Sequence, residues 1–130
     1  MNEARIIVRV PFKLPTFSDW DEGDGFMYLD GDLLIIEYYI LNLGLLRSKA
    51  HFVKAERAVV KGFETRRGWF RDRLIVETTS IQFMQEVPGK HSIGVELKTK
   101  RRDREVVDQF VELANAWVDG VGPGRLRAGR

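Results

Sequence analysis

Apolar and polar positions along this chain follow a two-residue period through most of its length and a helical period near its end. Residues 5–10, Arg-Ile-Ile-Val-Arg-Val, are β-branched and predict an extended segment. Pro11 and Pro15 exclude a helix behind it, because each lacks an N–H and restricts the residue before it. Residues 19–25, Asp-Trp-Asp-Glu-Gly-Asp-Gly, read as a loop. Residues 26–29 and 33–41 then flank Asp30-Gly31-Asp32, whose Asp-Gly pair signals a tight hairpin. The 33–41 run is apolar on both alternations, so both faces of that strand are expected to be covered. A ligand, a second subunit or residues 6–17 folding over would each serve, the last being preferred. Residues 45–53, 60–66, 73–79, 82–87 and 92–98 complete the seven predicted strands, with residues 54–59 ambiguous and Pro88-Gly89 closing the sixth.

From Arg104 the period changes. Val106, Val107, Phe110, Val111, Ala114, Trp117 and Val118 form one apolar stripe on a helix. Asp103 stands where an N-cap belongs, and Gly120, Gly122, Pro123 and Gly124 end the helix. Seven strands followed by one amphipathic helix predict a mainly β domain. Two bent, near-orthogonal antiparallel sheets, or a partly open barrel, would spare such strands their open edges. The helix would plug one end of that barrel with Phe110, Val111, Ala114, Trp117 and Val118.

The chain's 130 residues are the size of one domain, and 44% hydrophobic with 31% charged residues is a globular balance. The absence of cysteine removes disulfides, thiol catalysis and zinc–thiolate sites, and only His51 and His91 are available for imidazole chemistry. The net charge of +2 is too small for a nucleic-acid binder, although it divides into −4 over residues 1–32 and +3 over each of 33–97 and 98–130. The polar start is unlike a secretory signal, and the longest apolar stretch, residues 33–46, is too short and interrupted to span a bilayer as a helix. A cytoplasmic protein without a transmembrane segment is expected.

The order of elements from Phe26 to Trp117 resembles a bacterial pleckstrin-homology-like (PH-like) domain. The matching features are the Asp30-Gly31-Asp32 hairpin, the Gly68-Trp69-Phe70 turn with the strand after it, and the Val87-Pro88-Gly89 break. The run from Lys100 to Glu105 leading into the helix also matches. The resemblance implies a PH-like seven-stranded bent barrel of two near-orthogonal sheets capped by the helix. It also implies a binding or assembly module that self-associates, and no enzyme. The expected organisation is an extended segment over residues 1–25 packed on the body, a PH-like domain over 26–118 and a flexible basic tail over 119–130.

No residue set announces a reaction. Arg66, Arg67, Arg71 and Arg73 surround Trp69 and Phe70, a combination able to grip an acidic partner by bidentate pairing and ring burial. The alternative is that both rings fold back onto the body and the arginines are merely solvated. The basic run Lys98, Lys100, Arg101, Arg102 and Arg104 opposes the helix dipole and reads as a solvated turn or an anion site. The acidic first hairpin disfavours phosphoinositide headgroups. Asp19, Asp21, Glu22 and Asp24 have the wrong spacing for a calcium loop, so neither metal nor cofactor is expected. The expected function is a non-enzymatic interaction or assembly module. Its partner would be another protein or a second copy, paired through strand edges or residues 6–10. The alternative is a carrier of a small apolar ligand in the barrel interior.

Overall fold

The computed structural model describes residues 8–14, 21–42, 46–89, 91 and 94–120. The described residues form eight strands: β1 (Val10–Leu14), β2 (Asp21–Asp30), β3 (Leu33–Asn42), β4 (Leu46–Arg47), β5 (His51–Glu56), β6 (Val60–Arg66), β7 (Asp72–Thr78) and β8 (Val95–Thr99). Two helices join them, α1 (Ile81–Glu86) and α2 (Arg104–Val118). Every pairing is antiparallel, and one hydrogen-bonded sheet runs β4-β3-β2-β1-β8-β7-β6, with β5 sharing the β4 side of β3. β4 is a two-residue bridge, so the sheet is seven strands across.

The mainly antiparallel β fold with a C-terminal helix is therefore as expected. The sheet is a single one and it is not closed. Its two edges, β5 and β6, are nevertheless consecutive in the chain, joined only by the 3-10 turn Arg57–Val59. So short a link makes the sheet roll until those edges approach at one corner. The inner faces of all seven strand positions accordingly converge on one core, from Val53 and Ala55 on β5 to Val60 and Phe63 on β6.

The hairpin between β2 and β3 turns at Gly31, whose φ of 62° lies in the left-handed region. Further along β2, Gly25 approaches β3 so closely that a Cβ would overlap the Glu37 carbonyl oxygen and the Tyr38 Cα. Residues 21–25, loop-like by composition, thus form the first half of a strand whose glycines permit close backbone contact. β1 lies in the middle of the sheet, with Val10, Phe12 and Leu14 buried and Pro11 and Lys13 on the outer face. Pro11 has the same backbone orientation as Lys13 but no N–H to give. The β1–β8 ladder accordingly reduces to the register pair Lys13–Lys98.

The strand predicted over residues 82–87 is corrected, since residues 81–86 are the helix α1. The Ser80 hydroxyl accepts the Phe83 N–H at 3.1 Å as an N-cap, and Gln82 donates to Glu86 one turn later at 3.0 Å. Phe83 and Val87, four residues apart, are the two buried positions, a spacing that suits a helix face as well as a short strand. His91 clasps this corner. Its Nε2 donates to the Val87 carbonyl at 2.9 Å, and its Nδ1 accepts the Glu96 N–H at 3.1 Å.

The predicted stripe of α2 is the buried one, carried by Val107, Phe110, Ala114 and Trp117. The helix packs along β6, the last strand of the sheet. There Asn115 takes the place of a further strand. Its Oδ1 accepts the Phe63 N–H at 2.9 Å and its Nδ2 donates to the Phe63 carbonyl at 3.1 Å. Trp117 Nε1 donates to the Gly31 carbonyl at 2.8 Å, and the Arg57 guanidinium lies over its ring at 5.4 Å. Leu34, Ile35 and Ile36 are buried in succession, so β3 is covered on both faces near its start, while residues 37–41 are half-buried. The preferred cover of β3, residues 6–17, is corrected in its described part, since residues 10–14 are β1, a central strand of the same sheet, and do not fold over β3. Residues 1–7 and 15–20 of the expected extended segment lie outside the described residues. So do residues 121–130 of the expected tail, and Leu45 and Ile93 at the starts of two predicted strands. No helix among the described residues is long and apolar enough to cross a membrane.

Candidate functional site

The loop between β6 and β7 carries the sequence-singled residues Arg67, Trp69, Phe70 and Arg71, with Arg66 and Arg73 as the last register pair before it. Its backbone is fixed from below. Gly68 must be glycine, since a Cβ would sit 2.6 Å from the Arg71 carbonyl oxygen. The Gly68 N–H donates to Asp72 Oδ1 at 3.3 Å. Asp72 is 3% exposed and also receives a bidentate pair from Arg104 at the first turn of α2, at 2.6 and 2.9 Å. The Arg104 guanidinium holds the Asp72 carboxyl below the usual carboxylate range, against the upward push of burial. Arg67 reaches Asp108 on α2 at 2.9 Å, and Arg101 donates to the Trp69 carbonyl at 3.4 Å.

The side chains at the apex have the opposite character. Trp69 is 85% exposed and Phe70 87%. Neither ring folds back onto the body. A polypeptide that anchors a loop by its backbone and leaves its two largest apolar side chains in water forgoes about 1.5–3 kcal/mol for each ring it does not bury.

Register places the cations more tightly than the sequence did. Lys13 on β1 stands opposite Lys98 on β8, Lys98 opposite Arg73 on β7, and Arg73 opposite Arg66 on β6. Lys13, Lys98 and Arg73 each stand between two buried neighbours and so share the outer face, and register continues their row to the exposed Arg66. Like charges directly opposite destabilise a sheet. Flanking carboxylates offset the cost in part, Asp24 for Lys13 at 2.8 Å, Glu96 for Arg73 at 3.7 Å and Glu64 for Arg66 at 3.0 Å. Lys98 and Arg71 have no ion pair among the described residues. Beside the row, where Pro11 ends the β1–β8 ladder, a cleft of about 220 Å³ is lined by Lys13, Lys98, Lys100, Arg102, Phe26 and Tyr39 among others.

The sequence-predicted cluster is thus brought together with divided tasks. Arg66 and Arg73 belong to the cross-strand row, Arg67 ties the loop to the helix, and Arg71 stands free at the tip beside Trp69 and Phe70. Sequence reasoning missed Asp72, which fixes the loop, and Lys13, which extends the row; Arg104, read as one of a solvated or anion-binding basic run, is instead spent on Asp72. Alternation placed Lys98 and Arg73 on strands, but only register makes them neighbours. Asp24, on β2 and not in a loop, pairs with Lys13, and His51 stacks on Tyr38 with ring centroids 5.0 Å apart. Compared with family models, with curated proteins and with solved structures, the chain matches none.

Proposed function

We propose that this chain is a non-catalytic docking module with a PH-like layout, and that the β6–β7 tip is its contact surface. The observation that carries this is the pairing of a fixed backbone with bare rings, Trp69 at 85% and Phe70 at 87% exposure. A loop already held by Asp72, Arg101 and Arg67 has little ordering entropy left to lose on binding, so burial of its rings goes into affinity. Aromatic and arginine side chains are the types that carry most of the energy of contact surfaces. The space between sheet and helix supports a surface site over a carrier function. It is filled by Met27, Leu34, Ile36, Leu74, Leu97 and Phe110, none more than 1% exposed.

The test is a photo-reactive benzoylphenylalanine placed at Phe70 in the intact chain, in the cells that produce it, with the same label at exposed Glu112 as control. Docking through the tip predicts adducts at position 70 that are absent at position 112. An adduct with a second copy identifies self-association, and one with another molecule identifies the partner. Equal labelling at the two positions refutes the proposal.

A further inference from the structure

Resting on that docking role, we propose that the tip inserts into the surface of an anionic lipid bilayer. The aromatic pair and the cations lie at one end of the molecule. Residues 66–73 and 98–104 hold nine lysines and arginines, of which Arg66, Arg67, Arg73 and Arg102 pair with Glu64, Asp108, Glu96 and Asp103, while Lys98, Lys100, Arg71 and Arg101 have no ion pair among the described residues. Asp72 is spent on Arg104 inside the protein. Arg66 and Arg73 close the ladder just before the loop, Lys98 and Lys13 continue their row, and Lys100, Arg101 and Arg102 follow β8 at the same end.

The dimensions match a bilayer interface. Trp69 is three residues beyond Arg66, so its ring projects past the cation row by at most roughly 10 Å of chain. Interfacial segments bury their apolar groups about 5–10 Å into the headgroup boundary. With the rings at that depth, the guanidinium and ammonium groups sit at the level of the phosphates. Tryptophan and arginine both favour that layer, the one for its apolar ring with a polar N–H, the other for its long stem and charged head.

The surroundings of the rings favour lipid over a folded partner. On either side in the chain stand Arg66, Arg67 and Gly68, then Arg71, Asp72 and Arg73, with no apolar residue to form the rim of a protein–protein patch. A folded partner would need a pocket for two adjacent rings and would have to desolvate the arginines around it. A bilayer surface takes the rings and leaves the cations hydrated.

Flotation of the full chain with vesicles tests this, using neutral phosphatidylcholine and the same lipid with about 30% phosphatidylserine, whose surface potential attracts basic residues. The expected result is at least tenfold stronger partition onto the anionic vesicles, falling steeply as salt rises to roughly 0.5 M. Trp69→Ala/Phe70→Ala abolishes the binding. Arg71→Glu/Lys98→Glu weakens it at least tenfold, since each basic side chain at the surface contributes roughly fivefold. Bilayers with brominated acyl chains quench tryptophan fluorescence of the wild type, and Trp69→Phe loses that quenching. Neither double variant removes a packed side chain, so an unchanged thermal midpoint certifies the fold. Absence of anionic-vesicle binding, equal partition onto both vesicles, or wild-type binding by the tip variant overturns the bilayer. If the label at position 70 still captures a protein or a nucleic acid, docking through the tip survives that failure. If it captures nothing, both fall.

Discussion

Trp117 is where the helix, the first hairpin and the corner joining the sheet edges meet, and its removal tests whether α2 is docked as described. The ring is 9% exposed, its Nε1 donates to the Gly31 carbonyl at 2.8 Å, and Arg57 lies over its face at 5.4 Å. Trp117→Ala removes a buried aromatic and leaves a cavity, and such changes cost about 3–5 kcal/mol. Trp117→Phe separates the contributions. It keeps most of the apolar area and loses the hydrogen bond, at about 1 kcal/mol, because Gly31 is exposed and its carbonyl can turn to water. For a chain of this size roughly 3–5 °C of midpoint accompany each kcal/mol. The alanine variant should therefore melt roughly 10–20 °C lower and the phenylalanine variant only a few degrees lower. Urea titration followed by far-ultraviolet circular dichroism measures both, with equal m-values confirming that the same surface unfolds. A loss below about 0.5 kcal/mol for alanine, the range of ordinary surface substitutions, would show that the helix does not pack through this ring. A phenylalanine variant as damaged as the alanine one would show that the hydrogen bond, and not burial, dominates.

The Asp72 carboxyl has its affinity for protons lowered on folding, chiefly by Arg104, so the unfolded chain binds the proton more readily. Its contribution is therefore complete above the ordinary aspartate value of about 4 and is lost as pH falls through the lower folded value. Asp72→Asn should flatten that acid limb of a stability-versus-pH curve; an unchanged slope below pH of about 4 refutes the assignment. Asn115→Ala strips both partners from the Phe63 backbone and should cost about 1–3 kcal/mol. It should also speed hydrogen exchange at the Phe63 amide and expose β6 to pairing with other chains, which light scattering reports. Gly25→Ala places a methyl group against the Glu37 and Tyr38 backbone and should cost roughly 2–3 kcal/mol, as overpacking does. Gly31→Asn, at a turn position with open space around it, should leave the denaturation midpoint nearly unchanged.

The parts of this fold that were legible in the sequence are those set by local chemistry. The Asp30-Gly31-Asp32 turn and the helix from Arg104 to Val118 follow from turn residues and a long 3.6-residue period, and both stand where they were expected. Residues 82–87 misled because Phe83 and Val87 satisfy a strand and a helix alike over so short a run. What decides between them is the Ser80 cap. The central position of β1 was illegible for a different reason. A proline normally marks the margin of a sheet, and Pro11 is tolerated inside this one because the ladder to β8 stops at Lys13. The tip residues were visible as an aromatic pair among arginines, but whether those rings pack or project is a tertiary outcome.

One structural cause underlies both the fixed loop and the charged surface beside it. β8 leaves the sheet at Thr99 and enters α2 through only one 3-10 turn, Arg101–Asp103, so the start of the helix is held against the end of the β6–β7 hairpin. That proximity brings Arg104 to Asp72 and Arg67 to Asp108, which fixes the hairpin's apex without using its rings. It also sets the cations of the connection beside those of the strands, where the sheet's register has already aligned Lys13, Lys98, Arg73 and Arg66. Four like charges in adjacent register positions, beside two unburied rings, oppose the stability of an isolated monomer. An arrangement that costs the free protein in two independent ways at the same end of the molecule is accounted for when a partner there is both apolar and anionic, since that one partner relieves both costs.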